Sequence, residues 1–148
     1  MNIQDEIKSK LNNEYHKARV NIHFTHNYIS DQLDEILKPL SLSQTQFNIL
    51  RILRGQYPET SSIGLLKERM LDKNSDVSRI VDRLLAKKLV IRKECKLDRR
   101  QKDVQITQLG LDCLAEIDKS NNDLDKKMQH LTIEEVTHLN NLLDKIRL

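Results

Sequence analysis

The chain has 148 residues, enough for one domain with a sizeable core. Charged residues make up 32%, hydrophobic residues 38% and aromatic residues only 3%, a balance that points to a helix-rich, heavily solvated protein. Three Gly and two Pro are too few turn residues for an all-β sandwich or barrel, and the net charge of +3 conceals a strong asymmetry.

No phosphate-cradling G-x-x-x-x-G-K-S/T or G-x-G-x-x-G pattern occurs. No apolar run approaches the length of a membrane span. Residues 1–10 carry Asp5 and Glu6 and no apolar stretch, unlike a signal peptide. Two cysteines, Cys95 and Cys113, are too few for a disulfide framework or a zinc cage. The expectation is a cytoplasmic, mainly α protein without a cofactor or metal.

In chain order, residues 1–38 read as one long helix, or two in line. Ile3, Ile7, Leu11, Tyr15, Ala18 and Ile22 recur at steps of three and four, and Ile29, Leu33, Ile36 and Leu37 continue the stripe. Pro39 ends it. A second helix starts at Ser43, where Ser43 and Gln46 have capping-box spacing, and Gly55 with Tyr57-Pro58 is expected to close it. After a loop over 58–62, a short helix runs from about Ile63 to Met70, followed by a turn over 71–74. A further helix runs from about Ser75 to Lys87. Val77, Ile80, Val81, Leu84 and Leu85 form its apolar stripe; Ser75, Arg79, Asp82, Arg83 and Ala86 face the other way, with Asp76 and Ser78 on the flanks.

The period then changes. Leu89–Glu94 and Val104–Thr107 read as two strands around the charged loop 95–103, a β-hairpin. A helix starting near Thr107 carries Leu114, Ile117, Leu124 and Met128 on one face. Thr132 and Glu135 have the spacing of a second capping box before a last helix lined by Val136, Leu139, Leu142, Leu143 and Ile146. No repeat or linker interrupts the chain, so it is read as a single domain, 1–148.

The charge lies in the middle. Residues 61–107 hold 13 Lys and Arg against 7 Asp and Glu, and residues 79–102 hold 10 against 3. A basic centre between acidic ends is the footprint of a surface that meets a polyanion. Short helix, tight turn, amphipathic helix and basic-tipped hairpin make a winged helix-turn-helix. One α-helix fits the major groove of DNA, and arginines at a loop tip suit the negative potential of a narrow minor groove.

The residues also resemble a known family, the MarR-type bacterial regulators. Val77-Ser78-Arg79-Ile80-Val81-Asp82-Arg83-Leu84 matches the family pattern V-S/T-R-x-V/I-D-x-L. Leu89-Val90-Ile91-Arg92 follows, then Asp98-Arg99-Arg100, then Thr107 to Gly110 as T-x-x-G, all in register. The resemblance spans nearly the whole chain. It implies a homodimer that represses nearby genes by binding a pseudo-palindromic double-stranded operator and is released by a small-molecule effector. It also implies a helical dimerisation region over 1–38 and 108–148 and a DNA-binding winged helix-turn-helix over about 43–107.

Carried over residue by residue, it places Ser75, Asp76, Ser78 and Arg79 at the groove and Arg83 at phosphate. Arg99 and Arg100 form the wing tip, with Asp98 orienting one of them by a salt bridge; which arginine enters the minor groove stays open. Leu139, Leu142 and Ile146, near the end of the chain, are expected to be covered by a second chain. Tyr15, Phe24, Tyr28 and Phe47 are the aromatics available to an effector pocket, although each is read first as a core-packing residue. The family usually has Gly just before the first wing strand, whereas Lys88 stands here, at a cost of about 1 kcal/mol if the backbone is left-handed.

Lys93, Lys96 and Arg99 stand near Cys95 and favour a thiolate, but it is read as an ordinary cysteine beside the wing. The family branch that senses hydroperoxides carries its cysteine in the first helix, and this first helix has none. Cys113 is read as a packing residue. His16, His23 and His26 lie near one face of the first helix and are read as surface or interface histidines rather than metal ligands. Two other readings stand beside the regulator: an architectural DNA-binding protein without effector control, and a protein-interaction module on the same fold. An enzyme is not expected, since no nucleophile, base and orienter come together in the sequence.

Overall fold

A computed structural model describes residues 2–148; Met1, the first residue of the expected N-terminal helix, lies outside the described residues. Seven helices and one hairpin follow in order: α1 (Ile3–Ile7), α2 (Glu14–Leu37), a 3-10 turn (Lys38–Leu40), α3 (Gln44–Gln56), α4 (Ile63–Arg69), α5 (Val77–Ala86), β1 (Val90–Glu94), β2 (Lys102–Ile106), α6 (Gln108–Lys127) and α7 (Ile133–Ile146). Among the described residues no helix is long and apolar enough to cross a membrane.

The N-terminal stripe resolves into two helices. Lys8 takes a left-handed conformation (φ 49) that ends α1, and Asn13 starts α2 by accepting the His16 N–H at 2.9 Å. Asparagine favours such caps over helix interiors, so Asn12-Asn13 breaks a pattern that hydrophobic spacing alone would continue. Both expected capping boxes form, Ser43 with Gln46 and Thr132 with Glu135. Gly55 does not close α3. The helix continues through Gln56 and stops where Pro58 holds Tyr57 in an extended conformation (φ −56, ψ 135).

The core gathers around α3. Phe47, Leu50 and Leu53 meet Val81 and Leu84 of α5 and Leu114 of α6 in one buried cluster. Arg54 of α3 and Asp118 of α6 join at 2.7 Å on its rim. The wing is antiparallel, with Val90 opposite Ile106 and Glu94 opposite Lys102. The second strand therefore starts at Lys102, two residues before the expected boundary. Ser61, expected in a loop, adds a third-strand bridge to Val104, with reciprocal backbone bonds of 2.8 Å.

The end of α5 settles the departure at Lys88. Its φ is 60, the left-handed region that glycine usually fills. The Leu89 N–H donates to Leu84 O at 3.1 Å and the Lys88 N–H to Leu85 O at 2.9 Å, a Schellman closure with Leu84 and Leu89 both buried. Lys88→Gly is expected to raise the unfolding free energy by about 1 kcal/mol, seen as a melting point a few degrees higher at fixed protein concentration. An unchanged or lower melting point would mean that the lysine carries no strain there.

The ends of the chain contribute little to this core. No residue of α7 is fully buried: Leu139, Leu142 and Ile146 are 37%, 46% and 66% exposed. On α2, Tyr15, Phe24 and Tyr28 are also exposed.

Candidate nucleic-acid interface

The surface is built around α5. Asp76 caps its N-terminus by accepting the Arg79 N–H at 3.2 Å. Val77, Ile80, Val81 and Leu84 are buried, which turns Ser78, Arg79, Asp82, Arg83 and Ala86 outward. Arg79 and Arg83 are exposed and, among the described residues, take part in no ion pair. Ser75 differs from the expectation. It precedes the helix rather than lying on its outer face, and its hydroxyl is buried without a hydrogen-bond partner.

The turn that aims α5 is tied down locally. The Asn74 N–H donates to Asp72 Oδ1 at 2.9 Å, and the Leu71 N–H donates across to Asn48 Oδ1 of α3 at 2.9 Å. At the other end, the Lys87 ammonium donates to Ser41 O and to Gln46 Oε1 (3.1 Å for the latter). Lys87 thus clamps α5 to the α2–α3 corner, and its charge, counted within the basic stretch 79–102, is engaged by these oxygens.

The wing tip is a turn over Asp98–Gln101, closed by the Gln101 N–H on Asp98 O at 3.0 Å. Arg99 and Arg100 occupy its two central positions, both exposed and both without an ion pair among the described residues. Among the described residues Asp98 takes part in no ion pair. Its carboxylate accepts the Arg100 backbone N–H at 3.0 Å, the local bond that aspartate makes two residues ahead in a turn. The acid therefore shapes the loop and leaves both arginines free. Asp98 thus makes a turn bond where the resemblance placed a salt bridge.

Three further features were not legible as site residues. Asp82 pairs with Arg92 of β1 at 2.7 Å, linking α5 to the wing. At the base of the wing, the Thr107 hydroxyl donates to Lys88 O at 2.8 Å and accepts the Gly110 N–H at 3.1 Å. Behind the hairpin, Asp103 is 8% exposed and accepts from Thr60 (3.4 Å) and Gln101 (3.2 Å).

Both cysteines are half-buried and unbridged. Burial pushes the Cys113 thiol up, against a smaller opposing effect of Lys87, and the residue packs against the core. Cys95 lines a shallow cleft with Lys93, Lys96 and Asp103. His16 accepts the Asn12 N–H at 3.4 Å, and His23 and His26 are exposed. No group of three or more metal-ligating side chains occurs among the described residues.

A cleft of about 520 Å³ lies between α2, α3 and the turn before α5, lined by His26, Leu33, Phe47, Asn48, Arg51 and Leu71. The Arg51 guanidinium sits 5.7 Å above the Phe47 ring. Of the four aromatics read first as core residues and available to a pocket, Phe47 is buried in the core and alone reaches this cleft. Phe24 and Tyr28 face a smaller cleft beside Ile3, and Tyr15 is exposed.

Comparison with known proteins agrees with this geometry. The model of the MarR family matches residues 42–102. A cysteine-to-serine mutant of MarR from E. coli, solved with operator DNA, is 28% identical with a TM-score of 0.80, over 93% of this chain and 99% of that one. An organohalide-sensing transcriptional regulator in its 2,4-dichlorophenol-bound form is 26% identical with a TM-score of 0.80, over 92% and 80%. A MarR transcription factor from Planctomyces limnophilus is 26% identical with a TM-score of 0.69, over 91% and 98%. With the capped α5 and the two-stranded wing, these matches give the chain the winged helix-turn-helix fold of MarR-like transcription regulators.

Proposed function

We propose that the chain is a cytoplasmic homodimeric repressor that binds a pseudo-palindromic operator near its own gene and is released by a small-molecule effector. The observation that carries this reading is the state of the arginines. Arg79, Arg83, Arg99 and Arg100 are exposed and unpaired among the described residues, while the acids beside them, Asp76, Asp82 and Asp98, are engaged elsewhere. Unpaired guanidinium groups on one helix face and one loop tip suit a polyanion with two adjacent grooves.

In this reading Arg79 and Ser78 address base edges in the major groove, with Asp76 fixing the helix start, and Arg83 meets phosphate. Ser75, its hydroxyl turned inward, supports the turn. Arg99 and Arg100 present the wing tip to the minor groove. Residues 1–38 and 108–148 pair with a second copy through α2 and α7, whose exposed Leu139, Leu142 and Ile146 need a cover. The effector occupies the cleft beside Phe47 and Arg51; a related protein is known bound to 2,4-dichlorophenol.

Binding to the duplex upstream of the gene, against a scrambled duplex and over a salt series, tests this. The expected result is selective, steeply salt-dependent binding by a particle of twice the 17.4 kDa chain mass. Equal binding to both duplexes would favour an architectural protein, and no salt-dependent binding a protein-interaction module. Arg79→Ala is expected to lose about 1–3 kcal/mol of preference for the operator. Unchanged preference would remove Arg79 from base reading.

A further inference from the structure

Asp82 is the one acidic residue of α5, and it stands on the helix face that carries Arg79 and Arg83. An unpaired carboxylate there would repel phosphate. It also lies three residues after Arg79, the spacing at which helical ion pairs form. It takes neither course. Arg92 Nη2 meets Asp82 Oδ1 at 2.7 Å, with side chains 39% and 64% exposed.

Arg92 comes from the inner side of the hairpin. It is opposite Val104, and it alternates with buried Val90 on the same face of β1. Among the described residues this pair is the one ion pair or hydrogen bond between α5 and either wing strand. The other ties, through Lys88, Leu89 and Thr107, lie at the base of the wing.

We propose that Asp82 and Arg92 form a strut that fixes the wing against the recognition helix and keeps Asp82 away from Arg79. Both are positioning residues rather than DNA contacts. This rests on the DNA-binding reading above, because the strut matters where helix and wing engage neighbouring grooves together. An ion pair this exposed adds little to stability, so its loss leaves the fold intact and shows in binding.

The test is operator affinity and its salt slope for Asp82→Asn, Arg92→Ala and the double variant. A strut predicts a loss of roughly three- to tenfold for Asp82→Asn, although the substitution removes a negative charge from the DNA-facing helix. Arg92→Ala loses at least as much with an unchanged slope, and the double variant is no worse than Arg92→Ala. Binding by Asp82→Asn that equals or exceeds wild type overturns the strut. So does a slope that falls by about 1 in Arg92→Ala, the mark of a direct phosphate contact.

Amide hydrogen exchange in the free protein separates this proposal from the reading beneath it. Residues 90–94 are expected to exchange faster in both single variants, and unchanged exchange overturns the strut whatever the DNA results. A wild-type chain that selects no duplex overturns the regulator reading, and the exchange arm still decides the strut.

Discussion

Gly110→Ala is expected to destabilise the protein by about 2–3 kcal/mol, lowering the melting point by roughly 5–10 °C at fixed protein concentration. A β-carbon at position 110 would lie 2.4 Å from Leu89 O and 2.6 Å from Ile106 Cγ1. Leu89 O cannot retreat freely, because it accepts the Thr107 N–H at 3.0 Å. Helix propensity favours alanine by about 1 kcal/mol, and the contact with a fixed carbonyl outweighs it. Gly55 and Gly64 are internal controls. A β-carbon meets nothing within 4 Å at Gly55, and only Ser62 Oγ at 3.8 Å at Gly64. Alanine at those two positions is expected to be neutral or stabilising by up to about 1 kcal/mol. Thermal unfolding followed by circular dichroism distinguishes the three, and a stable Gly110→Ala protein would show that the base of the wing can shift. The glycine of the T-x-x-G signature is thus explained by space: it lets the start of α6 pass close to the end of the recognition helix.

Replacing Arg99 and Arg100 together by alanine is expected to weaken operator binding about a hundredfold, at roughly 1–2 kcal/mol for each guanidinium. The slope of log affinity against log salt should become shallower by about 2. Both side chains project from the centre of a four-residue turn whose backbone is closed by Asp98, so their loss leaves the hairpin pairing untouched. Circular dichroism and solution mass should match the wild type. An unchanged slope in a folded, dimeric variant would mean that the wing tip does not touch DNA. Asp98→Ala has a different signature: it removes the bond that shapes the turn, so affinity should fall with both arginines still present and the slope kept.

Much of the architecture was legible because it is decided within a turn or two of chain. Ser43 with Gln46 and Thr132 with Glu135 are three residues apart, a separation that helix geometry itself brings into contact. The stripe Val77, Ile80, Val81 and Leu84 specifies which side of α5 is buried, and hence that Arg79 and Arg83 face out. The left-handed backbone at Lys88 follows from where α5 has to stop before β1. Where the local reading failed, a different local preference prevailed. Asn13 started a new helix inside an unbroken hydrophobic stripe, and Pro58 rather than Gly55 ended α3.

The rest depends on distances across space. Residue counting includes Lys87 in the basic stretch 79–102, yet its ammonium is held by Ser41 and Gln46, more than forty positions away. Ser61 joins the sheet because β2 passes beside it, and Ser75 loses its hydroxyl to the interior because the turn before α5 packs down. Asp82 could have paired with Arg79 on its own helix; the docking of the wing brought Arg92 within 2.7 Å instead. Sequence by itself determined the elements, their caps, the buried face of the recognition helix and the arginines at the loop tip. Only the tertiary structure decided which of those charges stay free. A carboxylate engages the donor nearest in space, and that distance depends on how the helices and the wing pack together.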